Sequence, residues 1–364
     1  MLQILLTALL VSIATGFGLL RYAHLHAHFT ADSDIAGVQK FHAVPVPRIG
    51  GVPIMLGLVM GCALSGYLNT SVWVLLLLLS TLPAFGFGLL EDVTKRIGPL
   101  ARLLATFVSA VLGFFLIGAG LTRLGLPFVD GALTDYLWLS LLVTMVAVGG
   151  VAHAFNLIDG YNGLSGMVSV FIFAAMAYVC LKVHDILLMS VCMAMLGAIL
   201  GFLFWNFPRG LIFAGDGGAY LVGFMIAEVS VLLVTRNAEV SPWFPMLCVI
   251  YPVFETLFTI YRRKFLQGRA VGRPDALHLH QMIYRRVVRW MVGSREVRHL
   301  TQRNSLTSPY LWALCSLSVL PAMLFWNNTG VLLLFIVLFV AGYLYLYRQI
   351  VRFRTPRWMT LRHD

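Results

Sequence analysis

Asn156-Leu-Ile-Asp159-Gly-Tyr-Asn162-Gly-Leu-Ser165-Gly166 separates two long apolar runs, residues 136–155 and 166–183. Isolated polar side chains are costly in hydrocarbon, so a stretch this polar marks a place where spans reach water. Asn156, Asp159 and Asn162 are spaced by three; a continued helix would set them on a slowly drifting stripe able to converge on one ligand. Gly160, Gly163 and Gly166 would let the backbone approach a ligand or turn sharply. A polar helix cap with turn glycines needs one Asp or Asn, not three polar groups in register.

The remainder of the chain sets the context. Hydrophobic residues make up 60% of the 364 and charged residues 11%, against about 25% charged in an average soluble domain. A soluble chain of this length could not cover so much apolar surface. The expected fold is an all-α polytopic membrane protein. A span needs about 20 mainly apolar residues, and eleven runs come close: 2–20, 50–68, 72–90, 100–118, 136–155, 166–183, 186–205, 219–235, 243–261, 309–326 and 330–346. Tyr67, Trp73, Tyr136, Trp205, Trp243 and Trp326 fall near run ends, as interfacial anchors do. No basic residue precedes the first run, which reads as a retained helix and not a signal peptide.

Charge asymmetry predicts the orientation. With the N-terminus outside, all but Arg123, Lys182 and Arg236 of the 26 Lys and Arg lie on the inner side, the side that retains basic residues. An odd number of spans leaves the C-terminus cytoplasmic. The suggestive polar loops (21–48, 91–98, 156–165, 206–218 and 262–308) then share one face, where cytoplasmic loops would form the site. The expected organisation is one integral membrane domain, 1–364, with a motif-bearing part at 40–281 and two last spans plus a basic tail at 309–364. The net charge of +11 reads first as topology, then as affinity for anionic lipid phosphate or nucleotide; nucleic acid is not an expected partner. Cys62, Cys180, Cys192, Cys248 and Cys315 all sit in apolar runs without CxxC spacing, as small core residues.

Each polar cluster admits a chemical reading. Glu91-Asp92 ends one run and precedes Lys95-Arg96; adjacent carboxylates can shift each other's pKa and position a base, or Asp92 can simply pair along the helix with Lys95 or Arg96. Gly215-Asp216-Gly217-Gly218 opens another run. Asp216 suits an N-cap, while a Gly-rich helix start also makes an anion site, and a carboxylate there calls for an intervening hard cation such as Mg²⁺. His278-Leu279-His280-Gln281 lies among many Arg; the imidazoles suit a diphosphate better than a transition metal, for which no third ligand is evident. The Arg-rich remainder (Arg285, Arg286, Arg289, Arg295, Arg298, Arg303) reads as an amphipathic segment on the anionic leaflet. Lys40, His42, Pro45, Pro47, Arg48, Gly50 and Gly51 make a stiff basic entry to the second run. Glu228 and Glu255 sit inside apolar runs, where an ionisable group marks a transport path or a headgroup site.

The ordered set Pro45-x-Pro47-Arg48-Ile-Gly50-Gly51, Gly88-Leu-Leu-Glu91-Asp92, Asn156-Leu-Ile-Asp159-Gly-Tyr-Asn162-Gly163, Gly215-Asp216-Gly217-Gly218 and His278-Leu-His280 resembles the polyprenyl-phosphate N-acetylhexosamine-1-phosphate transferases of glycosyltransferase family 4. The resemblance implies transfer of a sugar-1-phosphate from a UDP-N-acetylhexosamine, UDP-GlcNAc foremost, to undecaprenyl phosphate with release of UMP. It implies Mg²⁺ as cofactor, with Mn²⁺ as a substitute, and a bacterial inner membrane location facing the cytoplasm; assembly as a homodimer stays open. By motif, Asp92 would accept a proton from, or orient, the lipid phosphate, with Glu91, Lys95 and Asp159 in the same catalytic group. Asp216 and Asn156 would hold the metal. Asp159 and Asn162 would line the nucleotide site, with Asn162 nearest the uracil, His278 and His280 would contact the diphosphate, and Lys40 and Arg48 would bind substrate. The chain departs from the family pattern at Glu91 (usually Asp), Asn162 (usually acidic) and Ala219 (usually Ser), and lacks three consecutive His. These departures favour an initiator of a surface glycan such as O-antigen over the peptidoglycan enzyme. The rival class, a transporter or flippase for a lipid-linked or nucleotide sugar, would want polar groups at mid-membrane and on both faces.

Overall fold

The structure is a computed structural model that describes residues 1–30, 46–66, 71–268, 275, 277–288 and 297–352. Lys40, His42, Pro45, Arg289, Arg295 and the tail beyond Arg352 lie outside the described residues. The described chain is helical: α1 (Leu2–Arg21), α2 (Ala23–Thr30), α3 (Gly51–Gly66), α4 (Ser71–Thr94), α5 (Pro99–Ile117), α6 (Pro127–Asp135), α7 (Leu137–Ile158), α8 (Leu164–Lys182), α9 (Ile186–Asn206), α10 (Gly215–Arg236), α11 (Trp243–Cys248), α12 (Ile250–Tyr261), α13 (Leu279–Ile283), α14 (Val297–Leu324) and α15 (Thr329–Val351).

Every predicted run is helical, but the runs are not equivalent. Nine helices among the described residues are long and apolar enough to cross a membrane: α1, α4, α5, α7, α8, α9, α10, α14 and α15. In the run at 50–68, Gly51–Gly66 form α3, and residues 67–68 lie outside the described residues. The run at 243–261 divides at Val249 into α11 and α12. Pro252 explains the division: it has no N–H for the Cys248 carbonyl, and its ring crowds that carbonyl. Helix α14 begins well before the predicted 309, and the polar residues Arg303, Asn304, Ser305, Thr307 and Ser308 ahead of its apolar part are buried. The nine-residue α6 was not expected; the Asp130 carboxylate draws its entry turn together by accepting from the Leu124 and Gly125 amides at 2.6 and 3.0 Å.

Helix α10 is the axis of the bundle. It is buried from Gly215 to Val234 almost without interruption and packs on α4 and α7, with α3, α5, α8 and α9 completing its surround. Helices α1, α3 and α9 form a tight triplet. There a Cβ at Gly57 would meet the Ala8 carbonyl at 2.8 Å and one at Gly201 would meet the Leu9 carbonyl at 2.6 Å. Small residues permit this backbone approach, and dispersion between close helices supplies cohesion where lipid removes any hydrophobic drive. Glu228 of α10 is fully buried and faces Gly113 of α5, with no hydrogen-bond partner among the described residues.

Candidate functional site

The site assembles around the first turn of α10. Residues 47–51 run beside 213–214: the Phe213 amide donates to the Pro47 carbonyl (2.9 Å), and the Gly50 and Gly51 amides donate to the Phe213 and Ala214 carbonyls (2.8 and 2.9 Å). This pairing delivers Arg48 to the head of α10. The motif glycines make the approach possible. A Cβ on Gly51 would lie 2.8 Å from the Gly218 Cα, and one on Gly88 would lie 2.7 Å from the Gly217 Cα. Gly215 has φ 69°, a left-handed conformation, and a Cβ there would meet the Asp92 carboxylate. Three separate sequence motifs are thus one packing junction of α3, α4 and α10.

Asp92, at the end of α4, is buried and accepts from the Asp216 amide through Oδ1 and from the Gly217 amide through Oδ2, both at 2.8 Å. The free N–H groups and dipole of a helix start favour an anion. Here that anion is the protein's own carboxylate, which replaces the reading of Gly215–Gly218 as an open phosphate cradle. The N-cap of α10 is Ala214, not Asp216. Neighbouring Glu91 has a different duty: its Oε2 accepts from the Ile97 amide at 2.6 Å, closing the turn after α4. Lys95 occupies that turn at φ 55°, its side chain exposed.

Asp216 lies in the first turn of α10, buried, with its carboxylate at the centre of the cluster. Asn156 Nδ2 donates to its Oδ1 at 2.9 Å, Arg48 stands 3.5 Å from the same oxygen, and Arg102 pairs with Oδ2. The two residues expected to share a metal thus stand in direct hydrogen-bond contact. Arg102 was not foreseen; its only signal in the sequence is a cation just inside the apolar run that follows Pro99. Its guanidinium lies over the Tyr220 ring at 5.8 Å, and the Tyr220 hydroxyl meets His153 Nδ1 at 3.1 Å. His153 precedes Asn156 by three residues on α7 and Tyr220 follows Asp216 by four on α10, so this second layer sits one turn deeper in the bundle.

The opening stretch divides between two tasks. Asn156 ends α7 at the Asp216 cluster. Asp159, the C-cap residue of α7, accepts a hydrogen bond from the Ser165 hydroxyl. Burial pushes its carboxyl up to about 6, against the opposing pull of the Ser165 hydrogen bond and of Arg48. Asn162 does something else. Its amide donates to Asn304 Oδ1 (2.7 Å), its Nδ2 donates to the Pro208 carbonyl (3.2 Å) and Ser305 Oγ (3.3 Å), and its carbonyl accepts from Ser308 (2.6 Å). Asn206 and Trp312 hold the next residue through the Gly163 amide (2.6 Å) and carbonyl (3.1 Å). The three polar residues do not share one stripe, because α7 stops at Ile158. Asn162, 1% exposed, is a latch between this loop, the 206–210 turn and α14.

His278 and His280 flank Leu279 at the start of α13, rings stacked 5.2 Å apart and both buried. His278 Nδ1 lies 3.2 Å from Glu255 Oε1 and 3.1 Å from Thr259 Oγ1. His280 packs edge-on against Tyr161 at 5.5 Å. Burial, followed by the neighbouring His278, lowers its pKa to about 3, so it is neutral at pH 7. Arg262 pairs with Asp275 at the loop's other side, and Tyr347 donates to the Leu277 carbonyl at 3.1 Å. Glu255 is therefore an anchor of the His segment. Lys40, expected to bind substrate, lies outside the described residues.

No group of three or more His, Cys, Asp or Glu that could hold a metal occurs among the described residues. Asp216 offers a carboxylate, and Asn156 a carboxamide whose Nδ2 here faces that carboxylate; with the carboxamide turned to present its oxygen, the pair would suit Mg²⁺, which takes few protein oxygens and fills its shell with water and substrate phosphate.

Residues 74–234 match the model of glycosyl transferase family 4. The chain is 29% identical over 252 residues to a probable undecaprenyl-phosphate N-acetylglucosaminyl 1-phosphate transferase of Bacillus subtilis, covering 67% of each chain. It is 29% identical over 291 residues to a decaprenyl-phosphate N-acetylglucosaminephosphotransferase of Mycobacterium tuberculosis, covering 69% of this chain and 70% of the relative. It is 27% identical over 261 residues to the undecaprenyl-phosphate alpha-N-acetylglucosaminyl 1-phosphate transferase of Escherichia coli K12, covering 69% of each. These matches bear out the resemblance carried by the motifs.

Proposed function

With residues 74–234 matched to glycosyl transferase family 4, we propose that the chain transfers an N-acetylhexosamine-1-phosphate, GlcNAc-1-phosphate foremost, from its UDP-sugar to undecaprenyl phosphate. The reaction releases UMP and begins a lipid-linked surface glycan, on the cytoplasmic face of a bacterial inner membrane. The observation that carries this reading is the convergence of Arg48, Arg102, Asn156 and Asp216 on the Asp92-capped start of α10. One substrate is dissolved in water and the other in lipid, so their phosphates meet only where spans end.

A phosphate oxygen of the lipid attacks the sugar-bearing phosphorus, and the bond from that phosphorus to the bridging oxygen breaks, leaving with UMP. A phosphate monoester has its second pKa near 6 and is largely ionised at neutral pH. The reaction therefore asks less for a strong base than for positive charge between two anions. Arg48 and Arg102 supply fixed charge beside Asp216. Asp216 and Asn156 would hold Mg²⁺, which when bound would screen the approaching phosphates and stabilise charge on the leaving oxygen. Asp92 orients the head of α10, and with it Asp216, toward the reacting phosphates. Asp159 lines the nucleotide side of the cluster, Asn162 fixes its loop, and the His278 segment faces the diphosphate.

The test is to incubate membranes containing the protein with radiolabelled UDP-GlcNAc and undecaprenyl phosphate. Mg²⁺-dependent appearance of a lipid diphosphate sugar together with UMP supports the reading. Movement of label across the membrane without chemistry would overturn it in favour of a transporter. Parallel reactions with UDP-GalNAc and a 6-deoxy-HexNAc donor identify the sugar.

A further inference from the structure

Glu255 is fully buried in α12, inside an apolar run, yet its carboxylate is met by three groups from two other parts of the chain, the His278–Leu279 segment and α15. The Leu279 amide donates to Oε1 at 3.1 Å, the Tyr343 hydroxyl donates to Oε2 at 2.7 Å, and His278 Nδ1 stands 3.2 Å from Oε1. A carboxylate has acceptor capacity for all three. A proton on His278 Nδ1 would complete the third contact, whereas a bare Nδ1 lone pair would face an ionised carboxylate oxygen without a hydrogen between them. Thr259 Oγ1, 3.1 Å from the same nitrogen, can accept in the same direction. No partner for Nε2 is recorded among the described residues.

The arrangement is held from both sides. Tyr343 comes from α15, 88 residues beyond Glu255, and its ring packs edge-on against Phe254 and Phe258 at 5.0 and 5.8 Å. Leu279 is the residue after His278, so one carboxylate fixes both the ring and the backbone of the segment. The titratable and charged groups around His278 are Glu255 on α12, Arg262 just after it, Asp275 and His280 on its own segment, and Tyr343 and Tyr347 on α15.

Resting on the phosphoryl-transfer reading above, we propose that Glu255 and Tyr343 are positioning residues that hold His278 with its proton on Nδ1 and leave Nε2 for the substrate phosphates. A buried carboxylate that orients an imidazole and fixes its tautomer serves the same purpose in hydrolytic triads and metal sites. The last span of the chain, which carries no motif of its own, thereby enters the site through Tyr343.

The experiment uses the full chain in membranes, assayed with UDP-GlcNAc and undecaprenyl phosphate. Glu255→Gln lowers kcat about 10–100-fold, the range for losing a carboxylate that orients a ligand-binding imidazole, while KM for UDP-GlcNAc changes less than about threefold. Tyr343→Phe, which removes one hydroxyl and keeps the ring, gives a smaller fall in kcat of the same kind. In a His278→Ala background neither substitution lowers kcat by more than about twofold, since each acts through His278. A ¹⁵N-histidine spectrum of the unsubstituted protein, with the His278 signals identified by their loss in His278→Ala, shows a protonated Nδ1 at neutral pH, and Glu255→Gln alters that signal. Additive losses in the His278→Ala background, or an unprotonated Nδ1 in the unsubstituted protein, would overturn the proposal. Absence of any lipid diphosphate sugar from the unsubstituted protein would instead remove the transferase reading, and the spectrum would still decide the state of His278.

Discussion

The carboxylate of Asp92 closes the N-terminus of α10 by accepting the backbone N–H of Asp216, 124 residues away, at 2.8 Å. The residue expected to bind metal and the residue expected to handle the lipid phosphate are thus joined through the backbone of one and the side chain of the other. Asp92→Asn retains one acceptor and turns an NH₂ group toward the second amide. That change costs about 1–3 kcal/mol for an unsatisfied buried donor, in addition to the lost charge at the helix start. Transfer falls by at least about tenfold, and thermal unfolding in detergent shifts to lower temperature. Unchanged unfolding with unchanged transfer would show that the cap is dispensable.

Asp216→Asn abolishes transfer while the protein still inserts and still extracts as a folded species. The change removes charge from a carboxylate contacted by Arg48, Arg102 and Asn156 together. Raising Mg²⁺ does not restore turnover. A variant working like the unsubstituted protein at low Mg²⁺ would remove the metal assignment.

Asp159 makes stability depend on pH. Its carboxyl is raised from 3.8 to about 6 by burial, so the folded state holds the proton more tightly than the unfolded state does. The contribution is most favourable below the unfolded value and is lost as pH rises from about 4 through about 6, amounting to about 2–3 kcal/mol by linkage. Asp159→Asn keeps an acceptor for Ser165 and removes this loss. The variant should unfold at higher temperature than the parent at pH 7, and the gap should close toward pH 4. A gap of constant size across that range would be the contrary result.

The latch between the motif loop and α14 is separately testable. Asn304→Ala leaves the buried Asn162 amide without its 2.7 Å acceptor, which costs about 1–3 kcal/mol. Limited proteolysis should become faster within residues 159–163, and transfer should fall with little change in membrane insertion.

The glycine junction predicts a contrast between two substitutions two residues apart on α4. Gly88→Ala places a methyl 2.7 Å from the Gly217 backbone, whereas the Cβ of Gly86→Ala would meet nothing within 4 Å. Overpacking of this kind costs about 1–3 kcal/mol. Gly88→Ala should therefore lose stability and transfer together, and Gly86→Ala should retain both. Equal behaviour in thermal unfolding would count against the close approach of α4 to α10.

Much of the molecule was legible from composition and spacing. Apolar runs located the helices because a lipid-facing backbone has no other way to satisfy its own hydrogen bonds. The division of the run at 243–261 was less evident, although Pro252 carries its cause. Asn156 and Asp216 were set together only by the family resemblance, and the structure has them in hydrogen-bond contact. Arg102, Tyr220, Glu255 and Asn304 could not be paired from sequence. Each looks like an isolated polar residue in or beside an apolar run, and its partner lies on a different helix.

The sequence by itself determined the all-helical architecture, the grouping of polar loops and the glycines that allow α3, α4 and α10 to touch. Each of these follows from properties that neighbouring residues share: hydropathy, charge and side-chain size. Only the tertiary structure decided which groups satisfy one another. It gave Asp92 to the head of α10, Asn162 to α14, and Glu255 to His278 and Tyr343. Every helix start offers free N–H groups and every carboxylate can accept them, so the choice between candidates rests on which ends the packing brings within about 3 Å.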